Sequence, residues 1–179
     1  MPADLRDSDW FGVSVDISAD TVVVGADDDT VGEVKSAGSA YVFTRNGTSW
    51  TEQAHLVASV PHEDDSFGSA VAIDANTVAV GARSYSNRGL ADGGLITFHR
   101  RGDAWSEGRL LLGDGTSDNL GAAVDIGRQP PGSGPSSAVP RRTAAAAART
   151  STSGDGHSER PHPPRGALTE HALSTVAFR

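Results

Sequence analysis

Phe11-Gly12-Val13-Ser14-Val15-Asp16-Ile17 and Phe67-Gly68-Ser69-Ala70-Val71-Ala72-Ile73 open two copies of one sequence unit, 56 residues apart. Each opening is followed by a valine-rich segment that ends in Gly-Ala, over 21–26 and 77–82. Asp118-Asn119-Leu120-Gly121 opens a third unit. A fixed period of this size indicates a repeat array.

Each unit predicts four short strands, because valine, isoleucine, threonine and aromatic residues alternate with small or polar residues between turn residues. The first unit predicts strands over 12–17, 21–26, 38–45 and 49–57, and the second predicts them over 68–73, 77–82, 93–100 and 104–112. The predicted fold class is therefore all-β, with each unit forming an antiparallel meander. If the units are equivalent, Phe11 and Phe67 should occupy like environments.

Four antiparallel strands in a unit of more than 50 residues fit one blade of a β-propeller. The Gly-Ala pairs suit the inner strands near a crowded axis, and we expect Trp50 and Trp105 to pack between blades. Propellers close with about four to eight blades. The predicted fold is an incomplete propeller, which we expect to be a fragment of a larger one or to associate with further blades.

These motifs resemble the FG-GAP repeat, the blade of the propeller at the head of integrin alpha chains and of many microbial surface proteins. The resemblance covers residues 9–126, although Gly25-Ala26-Asp27 and Gly81-Ala82-Arg83 lack the proline that usually completes the motif. It implies a noncatalytic, adhesion-like module that is extracellular or displayed at the cell surface. Loops at one end of the blades would bind a protein or a glycan.

The repeat pattern divides the chain near residue 127. We place the repeat domain at 1–127, with blade units over 9–64 and 65–117 and the start of a third over 118–127. Residues 128–179 are rich in proline, alanine and arginine with almost no alternation, which predicts a disordered low-complexity tail. Two origins for this tail stay open: a genuine disordered extension, or the product of a shifted reading frame.

Charge changes at the same boundary. Residues 1–127 carry a net charge of −12 and residues 128–179 carry +4. The tail arginines are not interleaved with aromatic residues, so we expect no nucleic-acid partner. No apolar run is long enough to span a membrane, no secretory signal is recognised, and the absence of cysteine excludes disulfides.

A calcium site is one hypothesis for Asp27, Asp28, Asp29 and Glu33, which follow the first Gly-Ala pair. Calcium takes six or more oxygen ligands, so the alternative is a solvated acidic loop. The calcium loop of integrin-like blades would fall at 16–20, which is too short and holds two carboxylates.

No catalytic residue is predicted, because the chain has no nucleophile elbow, phosphate-binding glycine loop or paired histidine motif. The recurring Asp9, Asp65 and Asp118 are expected to accept backbone hydrogen bonds in the turn that enters each unit. Two alternative functions stay open. The chain could belong to a propeller enzyme whose active site lies on other blades, or it could be a truncated remnant without independent activity.

Overall fold

The computed structural model describes residues 2, 4–87, 90–114, 118–127, 141–145 and 173–178. The first unit forms one antiparallel sheet with the strand order β1-β2-β3-β4, here called blade 1. Its strands are β1 (Phe11–Ser18), β2 (Thr21–Ala26), β3 (Ser39–Asn46) and β4 (Ser49–Leu56). Each strand pairs with the next along the chain. The turns at 19–20 and 47–48 are short, and the longer loop 27–38 joins β2 to β3.

The second unit forms a matching antiparallel sheet, blade 2, from β5 (Phe67–Asp74), β6 (Thr77–Ala82), β9 (Gly94–Arg101) and β10 (Ala104–Leu112). A short hairpin of β7 (Ser86–Asn87) and β8 (Leu90–Ala91) lies between β6 and β9. The all-β prediction is confirmed, and the strand boundaries agree with the expected ones to within one residue. Among the described residues, there is no helix with the length and apolar character that membrane crossing requires.

The Phe-Gly pair marks a bulge at the start of each blade. The pairing of β1 with β2 shifts register between Phe11 and Ser14, and that of β5 with β6 shifts between Phe67 and Ala70. Gly12 and Gly68 have φ angles of 94° and 92°. Glycine reaches this region without steric cost, which explains why it follows the aromatic residue in both units.

The Gly-Ala pair is required by the neighbouring blade. A Cβ atom added to Gly25 would fall on the carbonyl oxygen of Gly68, and one added to Gly81 would fall on that of Gly121. The sequence predicted a glycine here because of crowding at an axis. The structure shows that this crowding is backbone contact with the bulge of the next unit.

Blade 1 and blade 2 share one hydrophobic core. Buried side chains from blade 1 meet those of blade 2 in a single cluster that includes Val23, Ala40, Val42, Leu56, Phe67, Val71, Ile73, Val78 and Val80. Side chains of β1 also bond to the backbone of blade 2. Asp16 Oδ2 accepts from the Ile73 amide (2.8 Å), Ser18 Oγ accepts from the Ala75 amide (3.1 Å), and Ser14 Oγ donates to the Gly68 carbonyl (2.7 Å).

The two phenylalanines that open the units have like ring contacts, as expected. Phe11 meets Phe43 edge-on at 6.2 Å, and Phe67 meets the equivalent Phe98 edge-on at 6.0 Å. They differ in burial, since Phe67 is 1% exposed while Phe11 is only half-buried. The packing within each blade is therefore repeated, and the difference comes from what lies next to the blade.

The third unit departs from the repeat. Its first strand, β11 (Ala123–Ile126), pairs in parallel with β13 (Leu173–Phe178), which pairs antiparallel with β12 (Arg141–Ala145). These two strands differ from the expected disordered tail. The sequence offers no second blade strand after Ile126, so the backbone edge of β11 is open to another segment. The rest of 128–179 lies outside the described residues, and its disorder and the boundary at 127 stay predictions.

Candidate functional site

Blade 1 exposes a row of large apolar side chains on one side of its sheet. This open face consists of Val13, Val15 and Ile17 from β1 and Trp50 from β4, with exposed fractions of 40%, 64%, 56% and 44%. Alternate residues of a strand point to the same side of the sheet, which places the three β1 side chains together. Contiguous exposed apolar surface of this kind marks interaction sites.

The equivalent side chains of blade 2 are covered by blade 1. Val71 and Ile73, which match Val15 and Ile17 in the 56-residue repeat, are 7% and 5% exposed and belong to the core between the blades. Within the described part of the chain, blade 1 has no such neighbour over its own β1. The open face of blade 1 is thus equivalent to the surface that is buried in blade 2, but it is exposed to solvent.

The difference extends behind β1. In four further pairs of equivalent residues, the blade 1 residue is half-buried and the blade 2 residue is buried. These pairs are Phe11 and Phe67, Val22 and Val78, Val24 and Val80, and Phe43 and Phe98. The open face is therefore the outer layer of a broader apolar side of the sheet.

The two equivalent tryptophans show the same difference between the blades. Trp105 packs against the core between the blades, and its Nε1 donates a hydrogen bond to Gln53 Oε1 of blade 1 at 2.9 Å. Trp50, at the equivalent position, lies under the Arg45 guanidinium, 5.7 Å from its ring centre, and is otherwise exposed. The predicted packing between blades is met by Trp105, while Trp50 presents the same ring to solvent.

The predicted calcium ligands lie in the loop after β2, and the structure gives them different neighbours. Arg83 Nη1 lies 2.8 Å from Asp27 Oδ2 without the alignment of a hydrogen bond, and Asp29 faces blade 1. Asp28 is half-buried and Glu33 is exposed. Within the described residues, no group of three or more histidine or acidic side chains is placed to hold a metal ion. The calcium site stays a prediction.

Asp29 is the centre of a polar cluster inside blade 1. Its Oδ2 accepts hydrogen bonds from Ser39 Oγ at 2.6 Å and from Tyr41 Oη at 3.2 Å, and His55 Nε2 lies 3.5 Å away. The His55 ring stacks on the Tyr41 ring at 4.4 Å. Burial alone would raise the pKa of Asp29, but the hydrogen bonds from His55, Ser39 and Tyr41 together hold it below its ordinary value of 3.8.

Sequence reasoning missed this cluster, because His55 belongs to no recognised sequence motif. The signal was available only in the register of the strands, because Tyr41 and His55 are cross-strand partners on β3 and β4. The equivalent partners in blade 2 are Ile96 and Leu110. The polar cluster is accordingly a property of blade 1 and not of the repeat.

The recurring aspartates have the predicted role. Asp9 Oδ2 accepts from the Arg6 amide at 2.6 Å, and Asp65 Oδ2 accepts from the His62 amide at 2.9 Å. Asp118 Oδ2 accepts from the Asp114 amide at 3.2 Å. These bonds hold the turn that enters each unit, which confirms the capping prediction.

The two blades with their bulges and glycine contacts agree with a family match. Residues 1–43 and 50–95 match the model of the FG-GAP repeat. The chain is an FG-GAP repeat protein. Each matched segment of this FG-GAP chain contains one Phe-Gly bulge and one Gly-Ala pair, the two features that join neighbouring blades in the structure. A search of curated proteins found no significant match to the chain.

Proposed function

We propose that this chain is a noncatalytic FG-GAP recognition module that works outside the cell or at its surface and binds a protein or glycan partner. The observation that supports it is the open face of blade 1. The extracellular location is inferred from the resemblance of these units to the blades of surface proteins. The acidic repeat domain, with its net charge of −12, favours solubility of such a displayed module.

The protein partner that best fits the open face is another blade of the same kind. Val15 and Ile17 match Val71 and Ile73, which are buried when a blade packs against them. Burial of such side chains stabilises a contact by about 25 cal/mol per Å² of apolar surface. A second copy of the chain supplies a surface of matching apolar character, because an exposed face can pack on its own copy about a two-fold axis.

Sedimentation of the full chain over a range of concentrations tests this association. We expect the wild type to self-associate, and we expect the double variant Val15→Lys and Ile17→Lys to be monomeric because each lysine places a charge in the contact. The matched control is Val60→Lys, which adds a lysine at a position that is 59% exposed and outside β1. This control should associate like the wild type.

A wild-type chain that is monomeric at every concentration would overturn the proposed docking of blades. Thermal melting of the double variant checks that the lysines act on the contact and not on the fold. At a concentration at which the wild type is monomeric, the replacement should leave the melting temperature nearly unchanged, since Val15 and Ile17 are more than half exposed in the single chain.

A further inference from the structure

A cleft of about 370 Å³ lies between the blades, at the end where β1 turns into β2 and β5 turns into β6. The residues that matter for its chemistry are Ser18, Asp20, Thr21, Arg45, Asn76 and Arg100. None of them belongs to the open face of blade 1. The volume is within the range of small-molecule sites in proteins.

The repeat places one arginine from each blade in this cleft but gives them different partners. In blade 1, Arg45 forms an ion pair with Asp20, with Nη2 2.6 Å from Oδ1. In blade 2, the equivalent Arg100 donates from Nε to Asn76 Oδ1 at 3.0 Å. An amide stands where blade 1 has a carboxylate, so Arg45 has an ion-pair partner while Arg100 has none among the described residues.

The Arg100 side chain is held in place by both blades. Its Nη1 donates to Thr21 Oγ1 of blade 1 at 3.3 Å, and its guanidinium lies 5.5 Å from the Trp105 ring centre. These contacts and the bond to Asn76 use two of the five N–H donors of the guanidinium. Nη2 and one N–H of Nη1 form the edge that suits a carboxylate with two oxygens.

We propose that this cleft binds the carboxylate of an acidic sugar. Two guanidinium groups and one carboxylate among the lining residues leave a local positive charge on an otherwise acidic repeat domain. Ser18 Oγ, Thr21 Oγ1 and Asn76 Oδ1 already accept hydrogen bonds. The two hydroxyls and the amide nitrogen of Asn76 supply donors that suit the hydroxyl oxygens of a sugar ring. The inference deepens the glycan part of the proposed function and does not depend on the docking of blades.

Calorimetric titration of the full chain with D-glucuronate, with D-glucose as the neutral probe, tests the site. We expect glucuronate to bind and glucose not to bind. Arg100→Gln should weaken glucuronate binding about tenfold or more, because a charge-assisted contact is lost. The matched control Arg101→Gln removes the same charge from the next residue, which is exposed, and should leave binding unchanged.

Asn76→Asp gives a second variant that adds no bulk. It recreates in blade 2 the acidic partner that Asp20 provides in blade 1, so it should abolish glucuronate binding while leaving the fold intact. Absence of glucuronate binding by the wild type, or equal binding by wild type and Asn76→Asp, would overturn the proposal. A short aspartate-rich peptide that binds while glucuronate does not would overturn the assignment to a sugar. Failure here leaves the sedimentation result untouched, so the two proposals are tested separately.

Discussion

Blade 1 and blade 2 are built from one sequence unit, yet they differ in how much of that unit is buried. Both have four antiparallel strands, a bulge at Phe-Gly and a Gly-Ala pair at the end of the second strand. Blade 2 buries Val71 and Ile73 against its neighbour, while blade 1 exposes the matching Val15 and Ile17. The comparison shows that some apolar residues of the repeat pack against a neighbouring blade and not within their own sheet.

The largest expected effect comes from the matched isoleucines. Ile73→Ala should lower the free energy of unfolding by about 3 kcal/mol, because it leaves a cavity in the core between the blades. Ile17→Ala should change it by less than about 0.5 kcal/mol, because Ile17 is exposed. Urea unfolding of both variants measures the difference. The measurement is made at a concentration at which sedimentation shows a monomer. Equal costs there would mean that Ile17 is packed as Ile73 is, which would break the comparison.

A smaller effect is expected from the glycine that joins the blades. Gly25→Ala should destabilise the chain by about 2 kcal/mol, because its Cβ would meet the Gly68 carbonyl and force the blades apart. Gly47→Ala is the control, since it lies in an open turn with φ 63° and should cost about 1 kcal/mol from backbone strain alone. Thermal and urea unfolding give the two values. A Gly25→Ala cost below that of the control would show that the blade contact is looser than described.

The smallest effect concerns stability in acid. It sharpens the contrast between the polar cluster around Asp29 in blade 1 and the apolar side chains at the equivalent strand positions of blade 2. The pKa of Asp29 is lower in the folded chain, so its ionised form contributes stability above about pH 4 that is lost as the pH falls through the folded pKa. Asp29→Asn should cost about 1 kcal/mol at neutral pH, and the gap to the wild type should close in acid. Asp103→Asn, at an exposed turn, should show no such convergence. A constant gap across pH would contradict the role of the ionised carboxylate.

Much of the fold could be predicted because its signals are local. Alternation over six to eight residues predicts each strand of the blades, and the spacing of Asp9, Asp65 and Asp118 predicts their capping role. The Asp29 cluster could not be predicted, because it depends on which residue of β4 lies opposite Tyr41. Strands β12 and β13 could not be predicted either, because β13 pairs with the open edge of β11 and no local sequence pattern indicates this pairing.

The exposure of the open face could not be predicted from the sequence either. Val15 and Val71 stand at equivalent places in the same motif, so the pattern predicts the same burial for both. What separates them is a neighbour, and no residue within the unit encodes that neighbour. The arginine cleft could not be predicted either. The replacement of Asp20 by Asn76 in the second unit matters only because the two turns lie on the same cleft, and the sequence does not show that they do.

The bonds from Asp16 to β5 and from Ser18 to the turn after β5 have a consequence for which edges of the sheets can bind another strand. They occupy amide groups of Ile73 and Ala75 at the free margin of blade 2, the margin to which an invading strand would attach. Blade 1 thereby shields this margin of blade 2 from edge-to-edge polymerisation. The two blades meet face on face, and each sheet is four strands wide.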